Sequence, residues 1–284
     1  MSTTRADLAP MPTTVWRVWL GRAPLRPLQA AALRSCERDA DFPTRLITNN
    51  DTARSEAALG FSLHPSFHLL DPVQAADYLR CELLHHYGGF YLDTDIFCLR
   101  SLRPAYDASH RFDASGATLR TEYARRGAGF VMENNAMGPF RPHTDYTTAW
   151  RTALWRKMDE ATAKLKACAK QYPDGNGGIA YRQYLHAGKN KCGFDWGTFV
   201  GVKLKLDWGL EARGFFGRAL QLCDGNGQLL GLASSNASRC DVMHVGTAAS
   251  WKNPPSVQHL SESGLCKRYP VLSAALGCPV RQKT

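Results

Sequence analysis

The chain has 284 residues, 44% hydrophobic and 21% charged, a globular composition that excludes intrinsic disorder, and no apolar run is long enough to span a bilayer. Lys+Arg 35 against Asp+Glu 25 leaves a net charge of +10, which suits an anionic partner such as nucleic acid, acidic lipid or a phosphorylated small molecule. The 9 cysteines include no C-x-x-C pair, which argues against a zinc ribbon. The opening residues lack the apolar core of a signal peptide, so the expectation is a cytoplasmic chain with mostly reduced, core-filling thiols.

Short strands and helices alternate through the N-terminal third. Val15 to Leu20 (VWRVWL) reads as a strand broken by Gly21 and Pro24, and Leu28 to Arg38 reads as a helix. Thr44 to Thr48 is a second strand, after which Asp51 can cap a helix running to Leu59; Phe67 to Leu70 is a weak third strand. Asp71-Pro72 supplies an N-cap followed by a proline in the first turn. Val73, Ala76, Leu79, Leu83 and Tyr87 then recur at helical spacing until Gly88-Gly89 ends the helix. Phe90-Tyr91-Leu92 is a short strand that delivers Asp93-Thr94-Asp95. Strand, helix, strand, helix implies a mostly parallel α/β sheet with its ligands at the carboxyl ends of the strands. Farther on, only an amphipathic helix from about Asp145 to Lys170 stands out, with Trp150, Leu154, Met158, Ala161, Leu165 and Cys168 on one stripe.

The stretch from Asp71 to Arg100 is acidic within a basic chain: Asp71, Asp77, Glu82, Asp93 and Asp95 against Arg80 and Arg100. Asp-x-Asp occurs twice, and chance alone yields about one in a chain of this size, so context must decide. Asp39-Ala40-Asp41 lies between a helix and a strand and reads as a solvated turn. Asp93-Thr94-Asp95 lies at a strand's carboxyl end, where two carboxylates call for a divalent cation as counter-charge. Such a cation bridges a diphosphate and stabilises it as a leaving group. Asp77 and Arg80, three apart, share a helix face. They read either as an ordinary surface ion pair or as a carboxylate and a guanidinium offered to sugar hydroxyls.

The run Ala75 to Leu102 (AADYLRCELLHHYGGFYLDTDIFCLRSL) resembles the signature of the DXD glycosyltransferases in the Och1-like, capsular-polysaccharide and α-1,4-glycosyltransferase group, glycosyltransferase family 32-like. That group is related to the catalytic domains of the clostridial glucosylating toxins. Asp77, Arg80, Tyr87, Gly88, Gly89, Tyr91, Leu92, Asp93 and Asp95 carry the match. Val15 to Gly21 is similar to the family's opening strand, without its usual preceding Ile-Pro and His. His244 with Ser250-Trp251 is similar to its closing His and Ser-Trp element. The family's Thr-Gly-Pro is absent, and Gly175 to Gly178 stands in its region.

The resemblance implies a single GT-A domain, a Rossmann-like mostly parallel sheet flanked by helices, with its core at 12–252 and a C-terminal extension at 253–284. It implies transfer of a sugar from a UDP- or GDP-sugar to a glycan or other hydroxyl acceptor, with retention and with Mn2+ or Mg2+ as cofactor. Catalytic roles fall on Asp77, Arg80, Asp93 and Asp95, and the metal on Asp93, Asp95 and His244. The nucleotide sugar falls to Trp19, Gly21, Asn50, Asp77, Arg80, Tyr91, Asp93, Ser250 and Trp251. Other features take plainer readings: Asn134-Asn135 as an Asn-rich turn, and Arg151 to Lys170 as a solvated helix face with an anionic membrane as its alternative partner. No nucleic-acid partner is expected; the rival function is non-catalytic polyanion binding, drawn from charge and from aromatics beside bases such as Trp155-Arg156-Lys157.

Overall fold

A computed structural model describes residues 10–20, 24–53, 58–70, 72–109, 114–119, 131–171, 216–217, 222–223, 240–245 and 260–279. Gly21, Asp71, Gly175 to Gly178, Ser250 and Trp251 lie outside the described residues.

The first half follows the alternation closely. Strand β1 (Val15–Trp19), helix α1 (Pro27–Glu37) and strand β2 (Thr44–Thr48) come in turn. A short helix α2 (Asn49–Ala53) follows, then α3 (Pro72–Tyr87) and β3 (Gly89–Leu92). β1 pairs in parallel with both β2 and β3, so the carboxyl ends of three adjacent strands share one edge. Two expectations fail here. Phe67–Leu69 is a single 3-10 turn rather than a strand, and α2 begins at Asn49 because Asp51 turns back to accept from the backbone N–H and hydroxyl of Thr48. A carboxylate that satisfies the donors just before it draws the helix start towards the strand.

The rest of the main sheet is mixed. β5 (Ala114–Leu119) and β6 (Val131–Phe140) are antiparallel to each other, and β6 is antiparallel to β3. With β7 (Phe216–Gly217) the order is β2-β1-β3-β6-β5-β7, so Asn134 and Asn135 belong to a strand beside β3 and not to a turn. A second sheet, β4-β9-β8, is built from β4 (Ile96–Cys98), β9 (Val242–His244) and β8 (Leu222–Cys223).

Alternating side chains bury both faces of the main sheet, as a central strand requires. Tyr91, Trp16 and Val18 pack with α3 and with Trp150, Leu154 and Met158 of the long helix α5 (Asp145–Gln171), whereas Phe90, Leu92 and Val15 pack on the other side with Phe42 and Ile96. The helix α4 (Arg103–Ser109) adds Tyr106 to that second side. The C-terminal helices α6 (Glu262–Arg268) and α7 (Leu272–Leu276) place Leu265, Leu272 and Leu276 against Leu28 and Ala32 of α1 and Phe97 of β4. α5 buries Trp150, Leu154, Met158, Ala161 and Leu165 of the stripe its periodicity predicts, the Cys168 side chain lying outside the described residues, and its basic face is partly neutralised by Arg156 and Lys157 paired with Glu160.

The cysteines overturn the reduced-thiol expectation. Disulfides join Cys36 to Cys98, Cys223 to Cys240, and Cys266 to Cys278, while Cys81 is a free, buried thiol. Partners 62, 17 and 12 residues apart carry no spacing motif; the fold brings them together. Disulfides persist where the surroundings are oxidising, which counts against the cytoplasmic expectation. No described helix is long and apolar enough to cross a membrane.

Candidate active site

Asp93, Thr94 and Asp95 form the turn by which the chain leaves the main sheet at the end of β3 and enters the second sheet at β4. The turn is closed by Ile96 N–H donating to Asp93 O at 3.0 Å, and Asn135 O receives the Asp93 N–H at 2.8 Å. Glycine delivers the strand: Gly88 and Gly89 both have positive φ, and a Cβ on either would come within 2.4 Å of a backbone oxygen, Phe140 O or Thr14 O. No side chain fits there, so the double glycine both ends α3 and lets β3 slide between β1 and β6.

On one side of the turn, a buried guanidinium gathers two carboxylates. Arg80 Nη2 lies 2.8 Å from Asp77 Oδ1 and 3.1 Å from Asp93 Oδ1. Its other amino group donates to Asn134 O, and the plane sits 4.7 Å from the centre of the Tyr91 ring. Tyr91 O–H donates to Asp93 Oδ1 at 2.9 Å, and Asn134 Nδ2 donates to Asp77 Oδ1 at 3.2 Å. Asp77 and Arg80 are 4% and 5% exposed, so the surface ion-pair reading is excluded. Burial works to lower the Arg80 pKa, but the Asp77 and Asp93 carboxylates carry it above its ordinary value. Burial pushes Asp93 up, opposed by Arg80 and reinforced by Asp95.

On the other side, Asp95 is 1% exposed and its Oδ2 lies 3.0 Å from Nε2 of His244. The register of the second sheet sets this pair, since β9 runs antiparallel to β4 with His244 opposite Ile96. Residues 149 apart in sequence thus meet at the site.

Behind the turn lies a residue that the sequence reading passed over. Arg17 is fully buried in β1 and donates to Asp93 O at 2.9 Å and to Ile96 O at 2.8 Å, with Cys36 Sγ also in reach. Burial lowers its pKa to about 10, opposed chiefly by Asp95. A clue was present: VWRVW places an arginine at a core position of an otherwise apolar strand, where a charge is tolerated only with partners. The place of Asn134 and Asn135 beside β3 likewise depends on an antiparallel pairing that no local pattern announces.

Trp19 ends β1, half-buried and opposite Thr48, and Asn50 is exposed near the start of α2. Both therefore lie at the carboxyl ends of parallel strands, Trp19 on β1 beside β3 and Asn50 after β2 one strand farther out, on the edge where Asp93 stands. The second Asp-x-Asp stays apart: Asp41 pairs with exposed Arg103, and Asp39 Oδ2 accepts from Leu102 N–H.

No curated protein matches the chain. Among solved structures, a chain described as "PaToxG Glycosyltransferase" is similar at 14% identity and a TM-score of 0.36, covering 73% of this chain and 88% of its own. The segment from β2 to the residues after α4, residues 44–113, matches the family model described as a glycosyltransferase sugar-binding region containing a DXD motif, and it carries Asp77, Arg80, Asp93 and Asp95.

Proposed function

We propose that the chain is a glycosyltransferase of the GT-A kind that moves a sugar, with retention, from a UDP- or GDP-sugar to a hydroxyl of a glycan or other acceptor. The observation that carries this reading is the buried Arg80 guanidinium held between Asp77 and Asp93, two residues from the Asp95–His244 pair. Surface solubility does not call for such a costly assembly of charges, and a buried cation between two carboxylates needs every partner it has.

Asp77 and Arg80 hold the donor sugar: the carboxylate accepts from its hydroxyls and the guanidinium donates to them. Tyr91 and Asn134 keep that pair in place, and Asn135 O holds the Asp93 N–H. Arg17 acts as a positioning residue, fixing the backbone carbonyls at both ends of the turn. The nucleotide lies along the carboxyl edge of β1 and β2, near Trp19 and Asn50. Gly21, Ser250 and Trp251 complete its contacts on the family resemblance.

Asp95 and His244 suit a divalent cation such as Mn2+ or Mg2+. Two ligand atoms at right angles on such an ion, each about 2.1 Å away, lie about 3.0 Å apart, and the Asp95 Oδ2 to His244 Nε2 distance is 3.0 Å. Asp93 Oδ1 is engaged by Arg80 and Tyr91, so Asp95 and His244 are the residues that would hold the ion, with Asp93 beside them in the turn. When bound, the ion supplies positive charge to the leaving diphosphate.

Thermal unfolding tests this reading. Mn2+ with UDP or GDP should raise the melting temperature more than either component alone, and EDTA should reverse the gain. A protein that ignores nucleotide in the presence of Mn2+, yet gains stability from heparin or nucleic acid, would be a polyanion binder instead.

A further inference from the structure

At the opposite end of β3 lies a second group of ligand-type side chains that the proposed transfer reaction does not use. His85 and His86 close α3 just before Gly88-Gly89, and His143 sits in the turn between β6 and α5. One ring nitrogen of each lies within 4.8 Å of the others. Gly89 pairs with Phe140, which carries the β6–α5 turn over the end of α3, and His143 N–H donates to His85 O at 2.7 Å. His143 has φ 54°, a left-handed conformation uncommon outside glycine.

The three rings stand nearly perpendicular to one another, at 79°, 87° and 88°, with centroids 4.9, 4.7 and 5.5 Å apart. Thr147 gives its hydroxyl proton to Thr144 O, so its oxygen can accept from His85 Nδ1 at 3.2 Å. That arrangement leaves His85 Nε2 as a lone pair aimed at His143 Nδ1, 3.3 Å away. Two nitrogens on a tetrahedral Zn2+ with bonds of about 2.05 Å stand about 3.3 Å apart, so one edge of a coordination tetrahedron is already set. His86 Nε2 is buried with no hydrogen-bond partner, 3.4 Å from a Glu82 carboxylate already engaged by Tyr78, Arg151 and Trp155.

We propose that His85, His86 and His143 form a site for a Zn2+-type transition-metal ion, distinct from the Asp95–His244 pair, that clamps the end of α3 to the β6–α5 turn. Three imidazoles select late transition metals over the oxygen-preferring Mg2+ and Mn2+. Thr147 orients His85 from the second layer, as partners of metal-bound imidazoles do. Exposed His143 leaves the fourth position to water, and its side chain and that of half-buried His86 close the remaining gap of about 1.5 Å to tetrahedral spacing. β3 spans four residues, so about 13 Å of strand at 3.3 Å per residue separates this site from Asp93.

Co2+ is the probe, added to the full chain without a polyhistidine tag and with Mn2+ in excess to fill the carboxylate site. Wild type and Asp95→Asn should both take up one Co2+ with the intense visible bands of tetrahedral nitrogen coordination, and Zn2+ should displace it. His143→Ala, a surface change, should weaken Zn2+ at least tenfold by competition, and His86→Gln should do the same. A wild-type spectrum without those bands overturns the proposal, as does unchanged Zn2+ affinity in the two histidine variants. Loss of the bands in Asp95→Asn alone would also overturn it, by placing the ion at the other end of β3. Because Asp95→Asn is scored separately, failure here leaves the glycosyltransferase reading to its own test.

Discussion

Two turns with the same Asp-x-Asp pattern, Asp39-Ala40-Asp41 and Asp93-Thr94-Asp95, have opposite physical characters. The first lies at the surface between α1 and β2, and its charges meet solvent, Arg103 and a backbone N–H. The second is sunk at the junction of two sheets, and each carboxylate is answered by name: Asp93 by Arg80 and Tyr91, Asp95 by His244. What separates them is the scaffold that aims the carboxylates. A double glycine, a buried arginine beneath the turn and a histidine from the far end of the chain surround one turn and not the other.

The sharpest way to break the comparison is Asp95→Asn, which removes one charged ligand and keeps the shape. Turnover at saturating donor should fall at least about 100-fold, with the circular dichroism spectrum unchanged; near-normal turnover would show that the deep turn has no greater role than the surface one.

Arg80→Ala should come next, because it leaves buried Asp77 and half-buried Asp93 side by side without their shared cation. A loss of about 3–5 kcal/mol in urea unfolding is expected, together with loss of transfer. Arg80→Lys should recover part of the stability but not the transfer, since a lysine lacks the second amino group that donates to Asn134 O while Nη2 meets both carboxylates.

Arg17→Met tests the support beneath the turn. Two backbone carbonyls lose their donor, at a cost of about 3 kcal/mol. Donor KM and kcat should both worsen, although Arg17 touches neither substrate, and an equivalent arginine-to-methionine change at exposed Arg103 should do neither.

A pH series gives a smaller effect, localised at the other end of β3. Burial, with the neighbouring His86 and His143, lowers the His85 pKa from 6.5 to about 4. The unfolded chain therefore takes up a proton as pH drops below 6.5 while the folded one does not. His85 contributes its stability fully above pH 6.5 and loses it progressively as pH falls to about 4. In EDTA, the urea midpoint should decline over that window, and the decline should be shallower in His85→Gln.

Smallest of all, Asp39→Ala and Asp41→Ala should leave turnover per folded molecule unchanged. A drop beyond what unfolding explains would mean that the surface turn also serves the reaction.

The sequence made the first half of the fold legible because local rules govern it there. Pro72 and Gly88-Gly89 bracket α3, short apolar runs mark β1 and β3, and the stripe from Trp150 to Leu165 marks α5. The deep turn was legible for the same reason, as a strand end following a double glycine. Long-range pairings hid the rest. Asn134 reaches Asp77 only because β6 returns antiparallel to β3, and Cys36 meets Cys98 only once α1 lies on β4. Arg17 was in plain view, but its significance depends on carbonyls 76 and 79 residues away.

The passage of the chain from one sheet to the other has a further consequence. Asp93 closes a strand of the large sheet and Asp95 opens one of the small sheet, so the gap between the carboxylates depends on how the two sheets are docked. On the proposed function, packing at Phe97 and Met243, on the helix side of the small sheet, would therefore act as a remote adjustment screw for ion size. Conservative swaps there, Phe97→Leu or Met243→Leu, should alter the preference between Mn2+ and the smaller Mg2+ without changing a single ligand. Directed evolution of metal choice would begin among these apolar side chains rather than among the acids.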